Sequence, residues 1–162
     1  MSANGHALLS ASSAHRWINC TPSARLCEDI EDTPSEFASK GSDAHSLCEW
    51  MLNRQLGKNE PKPELQYYSH EMEECANGYV SYIIELLEDI KQHCKDPIVL
   101  VEQRLDFSRY VEEGFGTGDC VIVADGVLHI IDYKHGKGVP VSAEGNSQMR
   151  LYALGALKKY SP

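Results

Sequence analysis

At Asp96-Pro97 the apolar residues of this chain stop recurring every three to four positions and begin to run in short strand-like stretches. That switch limits the possible folds more than any bulk property does. Upstream, Ser35 to Leu56 reads as one helix, with Phe37, Ala38, Ala44, Leu47, Cys48, Met51 and Leu52 near helical spacing. Gly41 interrupts it, as close packing or an approaching ligand would require. After the breaker-rich stretch Gly57 to Pro63, Glu64 to Cys94 predicts a longer helix whose apolar stripe runs from Met72 to Ile90. Downstream, Ile98–Leu105, Cys120–Ala124 and Val127–Tyr133 read as strands, the last two joined by the hairpin dipeptide Asp125-Gly126. A last helix is expected from about Asn146 to Tyr160. Residues 1–34 read as an extension of short helices and loop, with helix starts near Ala14 and at Thr21-Pro22. Residues 35–162 read as a single core domain. The order helix, helix, strand, strand, strand, helix predicts an α/β fold: a small mixed sheet flanked by helices.

Charge enters as an objection. The net charge is −9, which disfavours a polyanionic partner. It is unevenly spread, however. Residues 1–95 carry 8 Lys/Arg against 15 Asp/Glu, and residues 96–162 carry 7 against 9. Three of those nine acids, Glu102, Asp119 and Asp132, are candidate metal ligands, and a bound cation would offset them. The clusters Glu28-Asp29-Ile30-Glu31-Asp32 and Glu71-Met72-Glu73-Glu74 are expected on solvated faces. Cys20, Cys27, Cys48, Cys75, Cys94 and Cys120 form no C-x-x-C pair. They read as free, mostly buried thiols rather than a zinc site or disulfide framework. No apolar run reaches the ~20 residues of a membrane span, and Met1 to Leu9 lacks the layout of a secretory signal. The expected setting is the cytoplasm, with no membrane partner.

The hairpin brings the chemistry together. With Asp125-Gly126 as pivot, positions i and 251 − i face each other, so Asp119 at the start of one strand lies opposite Asp132 near the end of the next. Like charges face to face are destabilising unless neutralised, and carboxylate oxygens suit Mg²⁺ or Mn²⁺. Strand alternation sends Lys134 to the same face as Asp132, where an amine assists a water or a developing phosphoryl charge. Tyr133 falls on the other face. Trp17, Trp50 and the tyrosines of 67–82 read as packing residues rather than base-stacking platforms. Gly136-Lys137-Gly138 departs from the phosphate-loop pattern and reads as a flexible loop able to approach DNA.

Asp119, twelve residues, then Asp132-x-Lys134 resembles the signature of the PD-(D/E)XK nucleases, whose core is a restriction-endonuclease-like αβββα unit. Gly41-Ser-Asp-Ala-His45, with Glu49 one turn on, and Gln148-Met-Arg-Leu-Tyr152 resemble the flanking motifs of the RecB-type branch. That branch includes the RecB and AddAB nuclease domains and the CRISPR adaptation nucleases. The stretch Gly114 to Leu157 is similar to an uncharacterised phage-associated family within it. The resemblance spans roughly residues 35–160. It implies metal ligands at His45, Asp119 and Asp132 and at the backbone carbonyl of Tyr133, with either Glu49 or Glu102 completing the acidic cluster. It also implies a catalytic Lys134, and Gln148 and Tyr152 orienting that lysine or touching the DNA backbone. The cofactor would be Mg²⁺ or Mn²⁺. Relatives that hold an iron–sulfur cluster use three cysteines after the last motif, and this chain has none beyond Cys120, so no cluster is expected. Relatives usually continue past that motif, so Pro162 reads as the end of a truncated or minimal form.

The implied activity is metal-dependent hydrolysis of DNA phosphodiesters, exonucleolytic or end-processing, in phage or bacterial recombination, repair or defence. DNA and other recombination or phage proteins would be its partners. The competing expectation is a catalytically idle nuclease-like module that binds or inhibits a DNA-processing complex. A weaker one is a hydrolase of small phosphodiesters.

Overall fold

The structure, a computed structural model, describes residues 7–28, 30, 35–136 and 140–160. Among the described residues, five helices and three strands run in the order α1 (Ala14–Asn19), α2 (Pro22–Leu26), α3 (Glu36–Gln55), α4 (His70–Lys91), β1 (Ile98–Asp106), β2 (Phe115–Ala124), β3 (Val127–Ile131) and α5 (Ser147–Tyr160). Asp29, Glu31 and Asp32 of the acidic run 28–32, and Lys137-Gly138, lie outside the described residues.

Local chemistry sets the helix starts. The Ser35 hydroxyl accepts the Ala38 N–H at 3.2 Å and opens α3. Ser69 does the same for Met72 at 3.1 Å and opens α4. The cap at Ser69 corrects the expected start at Glu64: residues 64–69 are not helical. Glu71 and Glu73 in the first turn of α4 then complement the helix dipole. Gly41 is not a packing device, since a Cβ there would meet nothing within 4 Å.

The sheet has the order β1-β2-β3 and is antiparallel throughout, not mixed. The connections explain the correction. Residues 107–114 and 125–126 are reversals, whereas a parallel pair needs a crossover of about a dozen residues or more. Cys120↔Ile131 through Ala124↔Val127 pair as the hairpin pivot predicts. β2 begins five residues earlier than expected and β3 ends two residues earlier.

Helices cover both faces. On one, Leu52 of α3 and Val80, Ile83 and Leu87 of α4 pack on Cys120, Ile122 and Ala124. On the other, Leu151, Tyr152 and Ala156 of α5 pack on Val121, Leu105 and Phe107. Ala11 and Ala14, from the segment read as an extension, are buried in this second cluster. Each fully buried Leu or Ile contributes about 1.5–3 kcal/mol. Ala44, Leu47, Cys48, Met72, Ala76 and Tyr133 form a third cluster, which fixes α3 and α4 to the chain just after β3.

All six cysteines are free. Only Cys48, Cys94 and Cys120 are buried, and Cys20 and Cys75 are exposed, so the expectation of mostly buried thiols holds for half of them. Trp17 and Trp50 pack against core clusters, as expected. Among the described residues no helix is long and apolar enough to cross a membrane.

Candidate metal centre

Three acidic residues lie abreast across the sheet. The β1–β2 pairing runs Val101↔Cys120, skips one rung and resumes at Gln103↔Gly118, so the skipped rung is Glu102 with Asp119. On the other side, Asp132 is the next position after the last rung, Cys120↔Ile131. Glu102, Asp119 and Asp132 therefore occupy one line across the sheet, midway along β1 and β2 and just past the end of β3.

That line is where strand alternation slips. Residues two apart on a regular strand share a face, and Cys120, Ile122 and Ala124 all face α4. Gly118 nevertheless faces the opposite way: a Cβ on it would meet Leu105 and Tyr152 on the α5 side. In β1, Val99 and Val101 pack with the α4 cluster, but Leu105 packs with the α5 cluster. Glu102 absorbs the slip with a φ of +49°, a left-handed conformation that side chains larger than glycine adopt at a cost. No residue is inserted, since the register is the same on both sides of the rung. The slip frees Glu102 and Asp119 from the regular facing pattern.

Around Asp119, which is 8 % exposed, the contacts converge. Its Oδ2 accepts the Tyr133 N–H at 2.6 Å. Its Oδ1 lies 3.3 Å from Nδ1 of His45, carried in by α3. One ligand atom each from His45, Glu102 and Asp119 falls within 4.8 Å of the others. Of the two acids the sequence left open, Glu102 is in this cluster; Glu49 is not, and its charge helps push the Glu102 carboxyl up.

Asp132 organises a second group. Its side chain is 5 % exposed; Oδ2 lies 2.5 Å from Nζ of Lys134 and Oδ1 accepts from Nε2 of Gln148 at 3.0 Å. The same Gln148 nitrogen is 3.1 Å from Tyr152 Oη. Gln148 and Tyr152 lie one turn apart on α5; Gln148 reaches Asp132 directly and Tyr152 reaches it through Gln148. Tyr133 separates the two groups. Its main chain holds Asp119, and its ring stands edge-on to His45, with centroids 5.6 Å apart. Its hydroxyl lies 3.0 Å from Nδ1 of His135. The roles of the Tyr133 ring and of His135 were missed in the sequence, because only the folded chain brings the ring under His45.

Ionisation follows burial. Desolvation, then the carboxylates of Asp119 and Glu49, push Glu102 up to about 7. Desolvation also raises Asp132, against the opposing pull of Lys134. The hydrogen bond to Asp119 raises His45. Burial pushes the Cys48 and Cys120 thiols up to about 12, which removes both as nucleophiles at neutral pH.

The three shifts at Glu102, Asp132 and His45 act on stability in one direction. Each group holds its proton more tightly folded than unfolded, so stability is complete below the unfolded value and is lost as pH rises through the folded one. For Glu102 the window runs from 4.5 to about 7, and His45 extends it above 6.5. After discounting for solvent at partly exposed Glu102, the loss is about 1–2 kcal/mol, or ~3–6 °C in Tm. A thermal melt in chelator at pH 5.5 and pH 8 measures it. Glu102→Gln is expected to flatten the dependence, and a Tm that rises over this range would refute the assignment.

Two carboxylates and an imidazole suit a hard divalent cation. Burial, reinforced by the neighbouring carboxylates, lifts Glu102 toward neutrality, and a bound cation would oppose both effects. Fold and centre together define an α/β protein with a carboxylate–histidine cluster on a three-stranded antiparallel sheet, beside the end of β3. The chain belongs to the family described as "Protein of unknown function (DUF2800)", whose model matches residues 6–162. No solved structure matches it.

Proposed function

We propose that this chain is a divalent-metal-dependent nuclease of the PD-(D/E)XK type, cleaving DNA phosphodiesters at the line of carboxylates across the sheet. The observation that carries the reading is the alignment of Glu102, Asp119 and Asp132 on adjacent strands, with His45 on one flank and Lys134 on the other. Residues from the Gly41–His45, Asp119, Asp132–Lys134 and Gln148–Tyr152 segments gather around them. Bound Mg²⁺ or Mn²⁺ would polarise the phosphoryl oxygen and lower the pKa of a water.

The protein groups have separable roles. His45, Glu102 and Asp119 supply the ligand set, and Asp132 and the main chain of Tyr133 border it. Lys134, 46 % exposed at its side chain, has its ammonium in solvent reach while Asp132 anchors it. There it donates to the attacking water or to the phosphoryl oxygen as charge develops. Gln148 holds the other Asp132 oxygen and so fixes the carboxylate plane.

The test is cleavage of linear, circular and single-stranded DNA with Mg²⁺ or Mn²⁺, against a chelator control. Asp132→Asn and Lys134→Gln keep the local shape and are expected to lose activity by about 10²-fold or more. The wild type failing on every DNA, with the metal bound, would sink the enzyme and leave a binding module.

A further inference from the structure

We propose that the groove between α1 and α5 binds a single strand of nucleic acid and leads its phosphodiester chain to Lys134. The inference rests on the nuclease reading for the chemistry at that end, but strand binding is a separate property of the groove. The cavity has a volume of about 860 Å³, within the range of clefts that enclose small ligands (~300–1,000 Å³). That volume accommodates a few nucleotides of a flexible strand.

Position is the first argument. Lys134 and Gln148 line the groove, and these are the two residues that hold Asp132. A strand lying in it would run onto the candidate centre. The wall chemistry is the second argument. α1 contributes His15 and Asn19, and α5 contributes Arg150, all exposed. The Arg150 guanidinium has no partner among the described residues, which leaves it free for a phosphate. Ile18 and Val141, 51 % and 58 % exposed, add aliphatic surface against which unstacked bases can rest. Charge is the third. In a chain of net charge −9, the groove wall carries Lys134 and Arg150 beside one lining carboxylate, Glu144; Lys134 is paired with Asp132, which leaves Arg150 as the cation free for a phosphate. Backbone phosphates supply most of the affinity of such sites.

Fluorescence anisotropy of a labelled ten-nucleotide strand of DNA, its RNA counterpart and a blunt DNA duplex, all in chelator, tests the groove apart from catalysis. A single strand is expected to bind about tenfold tighter than the duplex. His15→Glu combined with Arg150→Glu is expected to weaken it by about tenfold or more. Arg54→Glu, on α3 against Trp50 and away from the groove, is expected to stay within about twofold. Both substituted groove side chains are exposed, and a melt of the double variant checks its folding. Binding of the DNA strand, the RNA strand or both supports the groove and names the polymer. Binding of neither, equal binding of the duplex, or a double variant that binds like wild type overturns it. Cleavage is not read here, so an inert wild type in the nuclease assay would strike the metal centre alone.

Discussion

Asp119→Asn is expected to make the metal-free protein more stable and to abolish its metal binding. The opposite signs follow from the two oxygens of Asp119. Oδ2 accepts the Tyr133 N–H at 2.6 Å, and an asparagine carbonyl can take over that bond. Oδ1 faces His45 at 3.3 Å and, with Glu102, forms the anionic part of the cluster. Removing the charge relieves the repulsion that helps push Glu102 up to about 7. Metal-free stability at pH 8 should therefore rise, by about 1 kcal/mol or ~2–4 °C in Tm. The loss of one of two charged ligands should weaken Mn²⁺ binding by about 10²-fold or more, with cleavage falling at least as far. Calorimetric titration with Mn²⁺, beside a melt in chelator, reads both quantities. A variant that melts lower and still binds Mn²⁺ like wild type would show Asp119 to be a structural carboxylate. Gain of stability with loss of function is what a site under electrostatic strain should give.

Much of this centre was legible because a hairpin is a simple ruler. Asp125-Gly126 sets the pivot, the pivot sets the register, and the register puts Asp132 across from Asp119. Lys134 followed from alternation, since it lies two residues from Asp132, and the two side chains do meet. The choice between Glu49 and Glu102 was not legible, because it depends on the slip at Glu102, a backbone event with no inserted residue and no glycine to announce it. The sheet type failed for a different reason. Three strand signals in a row specify strands, but only the lengths of the connections specify direction, and both are short reversals here. The start of α4 was misplaced because Glu64 and Leu65 have acceptable helix propensity, whereas the cap at Ser69 decides where the helix begins. The sequence does not show why glycine occupies position 116, since the side chain that needs the space, Tyr152, is more than thirty residues away.

That space underlies the second large effect. Gly116→Ala is expected to destabilise the fold and impair cleavage while leaving metal binding intact. A Cβ at position 116 would sit 2.7 Å from Cε1 of Tyr152 and 3.2 Å from Cβ of Ala11. Tyr152 is 4 % exposed and Ala11 is 1 % exposed, so neither has room to retreat. Overpacking of this kind costs about 1–3 kcal/mol, or ~4–10 °C in Tm for a chain of this length. The ring cannot shift without disturbing the Gln148 side chain that its hydroxyl meets at 3.1 Å, and through it the carboxylate of Asp132. His45 and the Tyr133 ring, by contrast, belong to the α3 side of the sheet and are untouched by a push on α5. Mn²⁺ affinity should therefore stay within about threefold of wild type while turnover drops by about tenfold or more. Gly41→Ala is the natural control. It lies inside α3 with nothing within 4 Å of the added carbon, so it should stabilise by about 0.5–1 kcal/mol through helix propensity. If Gly41→Ala gains stability but loses cleavage, a substrate passes close to that turn of α3. If Gly116→Ala loses metal binding together with turnover, the α5 side reaches the ligand cluster directly, and the division of labour between the two faces of the sheet is wrong.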